Sequence, residues 1–243
     1  MKRSNKIILM AALIGISAGS TSCIKSVFPI TGNGHLVNWE SKVSTFEKIN
    51  SSGSAEIRFY ASDEYRAVVT IDENLCDYVE VFTKNNALTI RHEREQNISP
   101  TKFLVDVYCP VISSVTMSGS GSFTGMDHIV APTFETIISG SGKVEGTVEC
   151  FDFSTKISGS GKITVDGTSK NTNISISGSG DFNGIDFCTQ NAAVHISGSG
   201  NVNIFVSDYL KANISGSGKI NYRGDPEIDS TVSGSGKIRK QDR

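Results

Sequence analysis

The tetrapeptide Ser-Gly-Ser-Gly occurs seven times in the C-terminal part of the chain. Its copies begin at Ser118, Ser139, Ser158, Ser177, Ser197, Ser215 and Ser233. The intervals between copies are 21, 19, 19, 20, 18 and 18 residues. Such a period is too short for a propeller blade or a pair of helices, so each unit is predicted to be one coil of a stacked β structure.

The residues around the motif predict strands. In all seven copies, the residue just before the motif and the second residue after it are apolar. The former are Met117, Ile138, Ile157, Ile176, Ile196, Ile214 and Val232, and the latter are Phe123, Val144, Ile163, Phe182, Val202, Ile220 and Ile238. The residue two before the motif is mostly polar, as alternation in a half-buried strand requires. The glycines permit a turn, and the serines are expected to exchange hydroxyl hydrogen bonds along the stack.

These features predict an all-β fold, a right-handed parallel β-helix, over residues 118–243. It is a single-stranded solenoid with about 18–21 residues per coil. Leucine-rich repeats and six-residue left-handed helices have other internal patterns, which are missing here. Because ordering one coil costs more free energy than its own burial returns, the coils are expected to fold as an array.

Residues 45–117 predict a less regular N-terminal β region and cap. Strands are expected at 55–60, 65–71 and 103–108. The stretches 78–83 and 88–92 flank Lys84-Asn85-Asn86 and predict a hairpin. Ser52-Gly53-Ser54 resembles the motif, so the β-helix is expected to begin there, with the other strands covering its open end.

Residues 1–22 are typical of a lipoprotein signal peptide, with three basic residues, an apolar run at 7–16 and small residues before Cys23. Ser20 stands where the lipoprotein pattern usually has an aliphatic residue. Lipidation is predicted at Cys23, and residues 24–44 are expected to tether the domain to this anchor, so the tether with its anchor spans 23–44. The protein is therefore expected to contact the membrane through its lipid.

The net charge, the histidines and the remaining cysteines indicate which partners, metal sites and disulfides to expect. Loss of the signal changes the formal net charge from −2 to about −5, which argues against nucleic acid. The four histidines are scattered, so no metal site and no cofactor are predicted. The other four cysteines, Cys76, Cys109, Cys150 and Cys188, are expected to be buried free thiols, and Cys76 with Cys109 is left open as a bridged pair.

Three segments together resemble a known family. They are "STFEKINSSGSAEIRF" from Ser44, "YVEVFTKNNALTIR" from Tyr78, and the repeated "ISGSGKI". They resemble the putative auto-transporter adhesin, head GIN domain family, over roughly 46–238. The resemblance implies an exported β-helical envelope protein of Gram-negative bacteria with an adhesin function, and it brings no catalytic residues.

The position directly after each motif is expected to form a column along the helix axis. Its members are Ser122, Lys143, Lys162, Asp181, Asn201, Lys219 and Lys237. The four lysines are candidates for contact with an anionic glycan or an acidic partner surface. The alternative is a solvated face that discourages aggregation.

The favoured function is a non-enzymatic outer membrane lipoprotein that acts as an adhesin or scaffold through its rigid surface. It would lie on the periplasmic or the cell-surface side, with a protein or glycan partner, and it could form oligomers. The alternative is a polysaccharide-binding or polysaccharide-cleaving module, for which Tyr209 and Tyr222 are the candidate sugar-stacking residues. Counted forward from each motif, the acidic residues do not share an offset in adjacent coils, which disfavours cleavage.

Overall fold

A computed structural model describes residues 29–93 and 97–241. The predicted signal peptide and Cys23 lie outside the described residues. Within them the chain forms a parallel β-solenoid of about seven turns, which confirms the predicted fold class. The described residues contain no helix that is long and apolar enough to cross a membrane.

The described residues before Ser114 form nine strands and one short 3-10 helix at Glu73–Tyr78. The strands are β1 (Ile30–Thr31), β2 (Leu36–Ser41), β3 (Lys48–Gly53), β4 (Glu56–Ala61), β5 (Arg66–Asp72), β6 (Val79–Lys84), β7 (Ala87–His92), β8 (Ile98–Ser99) and β9 (Phe103–Cys109).

The repeat region continues with ten strands, several of which bend around the corners of a coil. They are β10 (Ser114–Gly119), β11 (Ser122–Gly125), β12 (Ile129–Gly140), β13 (Lys143–Gly159), β14 (Lys162–Gly178), β15 (Asp181–Gly198), β16 (Asn201–Gly216), β17 (Lys219–Arg223), β18 (Glu227–Gly234) and β19 (Lys237–Lys240).

Successive coils pair in parallel with the motifs in register. Ser118 pairs with Ser139, which pairs with Ser158, and the same register continues to Ser233. We call face A the residues that lead into each motif, such as 152–159 of β13. Residues at equal distances from the motif therefore form axial columns on face A.

The first glycine of each motif forms the corner of its coil. In all seven copies this glycine has φ between 113° and 127°, a region that favours glycine. A Cβ there would lie 2.4–2.6 Å from the carbonyl oxygen of the glycine one coil earlier. The second glycine is needed for another reason. At Gly161, for example, a Cβ would lie 2.5 Å from Cγ2 of Ile138, a residue of the preceding coil.

Backbone groups, and not serine hydroxyls, join the corners. The Ser160 N–H donates to the Gly140 carbonyl at 2.9 Å, and the Lys162 N–H donates to Gly142 at 2.9 Å. Among the described residues, no hydrogen bond joins the hydroxyls of two motif serines. The expected ladder of serine hydroxyls is therefore wrong. The first serine of each motif is exposed, so its hydroxyl can form hydrogen bonds with water instead.

The solenoid interior is apolar, as the flanking pattern predicts. Of the fourteen aligned apolar residues, all are buried except two in the last coil, Val232 and Ile238. Val232 is 43% exposed because no described strand covers that coil. Further in, phenylalanine rings pack between coils, with the centroids of Phe153 and Phe187 5.0 Å apart.

The first coil of the solenoid begins with β3 and β4, before the chain forms strands β5 to β9. Strand β3 pairs with β10 so that Gly53 lies opposite Gly119, which confirms that the β-helix starts at the early Ser-Gly-Ser. Strand β7 pairs in parallel with β3, and β9 pairs in parallel with β4, on the side of the first coil that faces away from the repeats. Beyond them, β6 pairs with β7, and β5 pairs with β9, in the antiparallel sense. These strands continue the sheet beyond the first coil.

Local sequence explains the hairpin in the cap. Strands β6 and β7 are joined by Asn85 and Asn86, whose φ angles are 53° and 59°. Two positive φ angles are typical of a type I′ turn, which asparagine tolerates and which matches the twist of a hairpin. The predicted hairpin is confirmed.

Part of the expected tether belongs to the sheet instead. Strand β2 lies within 23–44 and pairs antiparallel with β5, and Trp39 of β2 packs against the core. The ordered body of the protein therefore begins earlier than residue 45.

A buried carboxylate holds the chain before β2 to the cap. Asp72 is fully buried and accepts hydrogen bonds from the Gly34 N–H at 2.8 Å, the Thr101 N–H at 2.8 Å and the Thr101 hydroxyl at 2.6 Å. Desolvation raises the pKa of Asp72, but these hydrogen bonds outweigh it and leave the pKa below its ordinary value. A Cβ on Gly32 would collide with this carboxylate.

The four described cysteines are free thiols. Cys109 is buried, Cys76 and Cys150 are half-buried, and Cys188 is exposed. The expectation of free thiols is met, whereas burial of Cys188 was wrong, since it lies on an outward position of its strand. Cys76 and Cys109 are not bridged.

Replacement of Gly178 by Ala tests the corner. We expect the free energy of unfolding to fall by about 2–4 kcal/mol, because the alanine would adopt an unfavourable φ and also clash with the preceding coil. Gly34→Ala is the matched control, since Gly34 has φ of 78° and a Cβ there would meet no heavy atom within 4 Å. It should cost only about 1–2 kcal/mol. Equal losses in denaturant unfolding would contradict the role of coil-to-coil contact.

Replacement of Asp72 by Asn tests the buried carboxylate. We expect a loss of about 2–3 kcal/mol at pH 7, because charge-assisted hydrogen bonds are lost. Since the folded-state pKa is lowered, the stabilisation is present above the unfolded pKa of about 3.9 and disappears as the pH falls through the folded pKa. The gap between the two proteins in urea unfolding should therefore be constant from neutral pH to about 5 and shrink below about 4.

The exposed Asp63 supplies the control for this comparison, as Asp63→Asn should change stability little at any of these pH values. A gap between the wild type and Asp72→Asn that does not change with pH would contradict the account.

Candidate functional site

The lysine column forms as predicted but is divided. Lys143 lies opposite Lys162, and Lys219 lies opposite Lys237, all four being exposed. The two pairs are separated by Asp181 and Asn201. The side chain of Asn201 donates a hydrogen bond from Nδ2 to Asp181 Oδ1 at 2.8 Å. The surface therefore carries two separate lysine pairs and not one continuous stripe.

The two candidate tyrosines have different environments. Tyr209 lies on face A and is 36% exposed. Tyr222 is in register with the buried Ile204, so it occupies an inward position and packs against the core. Of these two residues, only Tyr209 offers its ring to a ligand from solvent, and the proposed stacking role of Tyr222 does not fit its position.

Two parallel columns on face A surround Tyr209. The outer column lies six residues before each motif from the second to the seventh and consists of Thr133, Asp152, Asn171, Asn191, Tyr209 and Glu227. The second column lies four residues before each motif and consists of Ser114, Glu135, Ser154, Asn173, Ala193, Lys211 and Asp229.

A shallow groove lies between these columns. Its volume is about 470 Å³, and it is open to solvent. We call it the Tyr209 groove and define it by Asp152, Asn171, Asn191, Ala193, Tyr209 and Lys211. Ala193 provides the space, because a residue with a methyl side chain stands here between Asn173 and Lys211 in the second column.

The polar wall of the groove is a chain of side-chain hydrogen bonds across three coils. Asn171 Nδ2 donates to Asp152 Oδ1 at 2.9 Å, and Asn191 Nδ2 donates to Asn171 Oδ1 at 3.2 Å. Each contact joins residues that are direct partners in neighbouring coils. The amide planes are therefore held in a fixed orientation along the solenoid axis.

Tyr209 is the next residue in the column after Asn191. Desolvation, the negative charges of Asp229 and Glu227, and a hydrogen bond to Asp229 together raise the pKa of the Tyr209 hydroxyl. The hydroxyl therefore stays protonated at neutral pH and can act as a hydrogen-bond donor at the end of the groove.

Sequence reasoning missed the groove residues other than Tyr209, although the signal was present. Offsets counted forward from each motif cross corners of variable length. For example, the pairing of β15 with β16 is shifted between Gly184 and Cys188. Counting backward from the next motif places Asp152, Asn171 and Asn191 at the same offset as Tyr209.

A second depression lies around the corner from face A. It has a volume of about 580 Å³ and includes two exposed apolar residues, Val130 (57% exposed) and Phe151 (52%). Lys170 Nζ lies 4.9 Å from the centre of the Phe151 ring. Cys150 also lines it, and burial, followed by the charge of Asp152, raises the pKa of this thiol to about 11. The thiol is therefore protonated and unreactive at neutral pH.

Among residues 29–93 and 97–241, no group of three or more His, Cys, Asp or Glu residues could hold a metal ion. The depressions described here are shallow and open, and their lining is supplied by repeated columns on a rigid stack. Such surfaces contact large ligands side-on and do not enclose small ones.

These features define a parallel β-helix protein whose candidate sites are open lateral surfaces. The sequence matches the family described as "Putative auto-transporter adhesin, head GIN domain" over residues 45–226. Because this match spans well over half of the chain, the chain belongs to that family.

Solved structures share this fold. A crystal structure of a putative lipid binding protein from Parabacteroides distasonis has 29% identity and a TM-score of 0.75, with 88% of this chain and 100% of that chain covered. A putative adhesin from Bacteroides fragilis has 18% identity and a TM-score of 0.80, with 87% and 100% covered. A putative adhesin from Parabacteroides merdae has 23% identity and a TM-score of 0.70, with 88% and 99% covered. Among curated proteins, none matches the sequence.

Proposed function

We propose that this protein is a non-enzymatic adhesin of the cell envelope that binds its partner through the side of the β-helix. The observation that carries the proposal is the set of axial columns on face A, which present the same positions at each coil along a rigid body. A surface of this kind makes many weak contacts, and repetition of contacts can supply strength without a deep pocket.

The family supports the same proposal. Members and structural neighbours carry adhesin descriptions, and the fold is shared over most of the chain. The open depressions also favour binding over catalysis, because catalytic sites usually exclude water from the reacting groups.

Export and anchoring complete the proposal. The residues before Cys23 have the pattern of a lipoprotein signal, and lipidation at Cys23 would place the β-helix next to a membrane. We propose the outer membrane as that membrane. Strand β1 begins at Ile30, so six residues separate it from Cys23. So short a connection would keep the folded part of the chain near the anchor.

A second candidate function has a specific observation in its favour. The Parabacteroides distasonis neighbour is described as a putative lipid binding protein, and the exposed Val130 and Phe151 form an apolar corner here. Lys170 Nζ lies over the Phe151 ring, so this corner is not purely apolar and we favour adhesion.

Protease treatment of intact cells that produce the full chain tests the proposed location. We expect the region from Ser118 to Arg243 to be lost or shifted in immunoblots, while a periplasmic control protein stays intact. Because a well-packed β-helix resists proteolysis, an engineered protease site at the Asn85-Asn86 turn provides a cleavable position on the surface of the cap.

Two controls make the result decisive. Cleavage of the engineered protein in lysed cells shows that the site is accessible, and a Cys23→Ser variant shows whether anchoring depends on that residue. Protection of the engineered site in intact cells, with cleavage after lysis, would contradict an adhesin and support a scaffold on the periplasmic side.

A further inference from the structure

We propose that the Tyr209 groove binds a pyranose unit of a neutral polysaccharide. This inference rests on the proposed adhesin function and names the class of ligand that the lateral surface recognises. It is carried by four properties of the groove: its apolar floor, its polar wall, its charge balance and its direction.

The floor of the groove suits the apolar face of a sugar ring. Ala193 stands in the second column between the longer side chains of Asn173 and Lys211. Tyr209 supplies an aromatic ring that is open to solvent. Most of the accessible lining is apolar. The C–H groups on one face of a pyranose pack well on such a surface.

The wall of the groove suits the hydroxyl groups of the same ring. After the ladder hydrogen bonds are formed, Asn171 and Asn191 each retain one side-chain N–H, and Asn191 retains its carbonyl oxygen. Asp152 supplies further acceptor capacity at the other end. A sugar hydroxyl both donates and accepts, so a row of fixed amides matches it, and the ladder spares the cost of ordering these side chains on binding.

The charges favour a neutral ligand. Asp152 at one end and Lys211 at the other give the groove no net charge. Lys211 also lies opposite Asp229 in the next coil, so its charge is partly balanced. An anionic polymer would gain little here, in contrast to the lysine pair formed by Lys143 and Lys162.

The direction of the groove favours a polymer. The ladder from Asp152 to Asn191 runs across three coils, which are spaced by about 4.8 Å. Tyr209 lies directly opposite Asn191 in the next coil, so its ring stands at the end of this row. A chain of sugars can lie along the solenoid axis with one ring against Tyr209 and its neighbours against the amides.

Two measurements on the full-length mature protein test this inference. The first is NMR of labelled protein titrated with the methyl glycosides of glucose, galactose, mannose and N-acetylglucosamine. We expect shifts that are confined to the side-chain amides of Asn171 and Asn191 and to the backbone around Ala193 and Tyr209. The second is electrophoresis in gels that contain dextran, mannan, xylan, laminarin or the anionic pectate. At least one neutral polysaccharide should retard the protein.

Variants then assign the binding to the groove. Tyr209→Ala should weaken the retardation about tenfold, as expected for the loss of one aromatic contact. Ala193→Gln, which fills the groove while leaving every other wall residue in place, should have a similar effect. Phe151→Ala is the matched control, because it removes an exposed ring from the neighbouring corner, and it should bind normally. Thermal unfolding of each variant identifies any loss of structure, and Ala193→Gln replaces Tyr209→Ala if the latter is unstable.

Three outcomes would overturn the inference. The first is the absence of both NMR shifts and retardation with every neutral sugar in these sets. The second is an equal loss of binding in Phe151→Ala. The third is binding to pectate alone that disappears in Lys143→Glu with Lys162→Glu, which would transfer the site to the lysine column. Because these assays use purified protein, they are independent of the location that the protease experiment tests, so either proposal can fail alone.

Discussion

The stacking of the glycine corners is the constraint on which the rest of the structure depends. At each corner, a residue with positive φ lies against the carbonyl group of the corner below it, so there is no space for a side chain. The repeated close contact sets the register of every coil against the next. Once the corners are aligned, the residues that precede them must form straight columns. The stability of the fold and the chemistry of its surface therefore have one physical origin.

Face A is the most regular part of the stack because it leads directly into the corner. Shifts in pairing occur before face A, between Thr164 and Gly167 in β14 and, in β15, between Gly184 and Cys188 and again between Thr189 and Asn191, where face A begins. Insertions there change the spacing between motifs but leave face A unchanged. A binding surface on face A can thus keep its geometry while the rest of the coil varies, and the Tyr209 groove lies on this face.

Most of the fold could be predicted from the sequence because its determinants are local. The alternating apolar residues and the Asn85-Asn86 turn act within a few residues, and the motif recurs within 18–21 residues. The fold and the hairpin that they predict are confirmed. Strand β2 could not be predicted in this way, since its pairing with β5 joins segments about 30 residues apart. The burial of Asp72 and the exposure of Val232 also depend on what covers each residue in space.

The candidate site was only partly predictable. Tyr209 could be singled out as an aromatic residue in a late coil, and the lysine column followed from its fixed offset. Ala193 was overlooked because its contribution is the space that it leaves, which composition does not reveal. Tyr222 had the same residue type as Tyr209 but an inward position, and only the register with Ile204 distinguishes them.

The axial register of the corners can be measured directly by electron spin resonance between pairs of spin labels. One label is placed on Ser118 and the second on Ser197, Ser215 or Ser233, which lie four, five and six coils away, respectively. The exposed Cys188 is replaced by Ser so that it does not take up a label. The distances should be about 19, 24 and 29 Å, an increase of about 4.8 Å per coil. Distances that do not rise by a constant step would show that the corners are not stacked in register and would contradict the account.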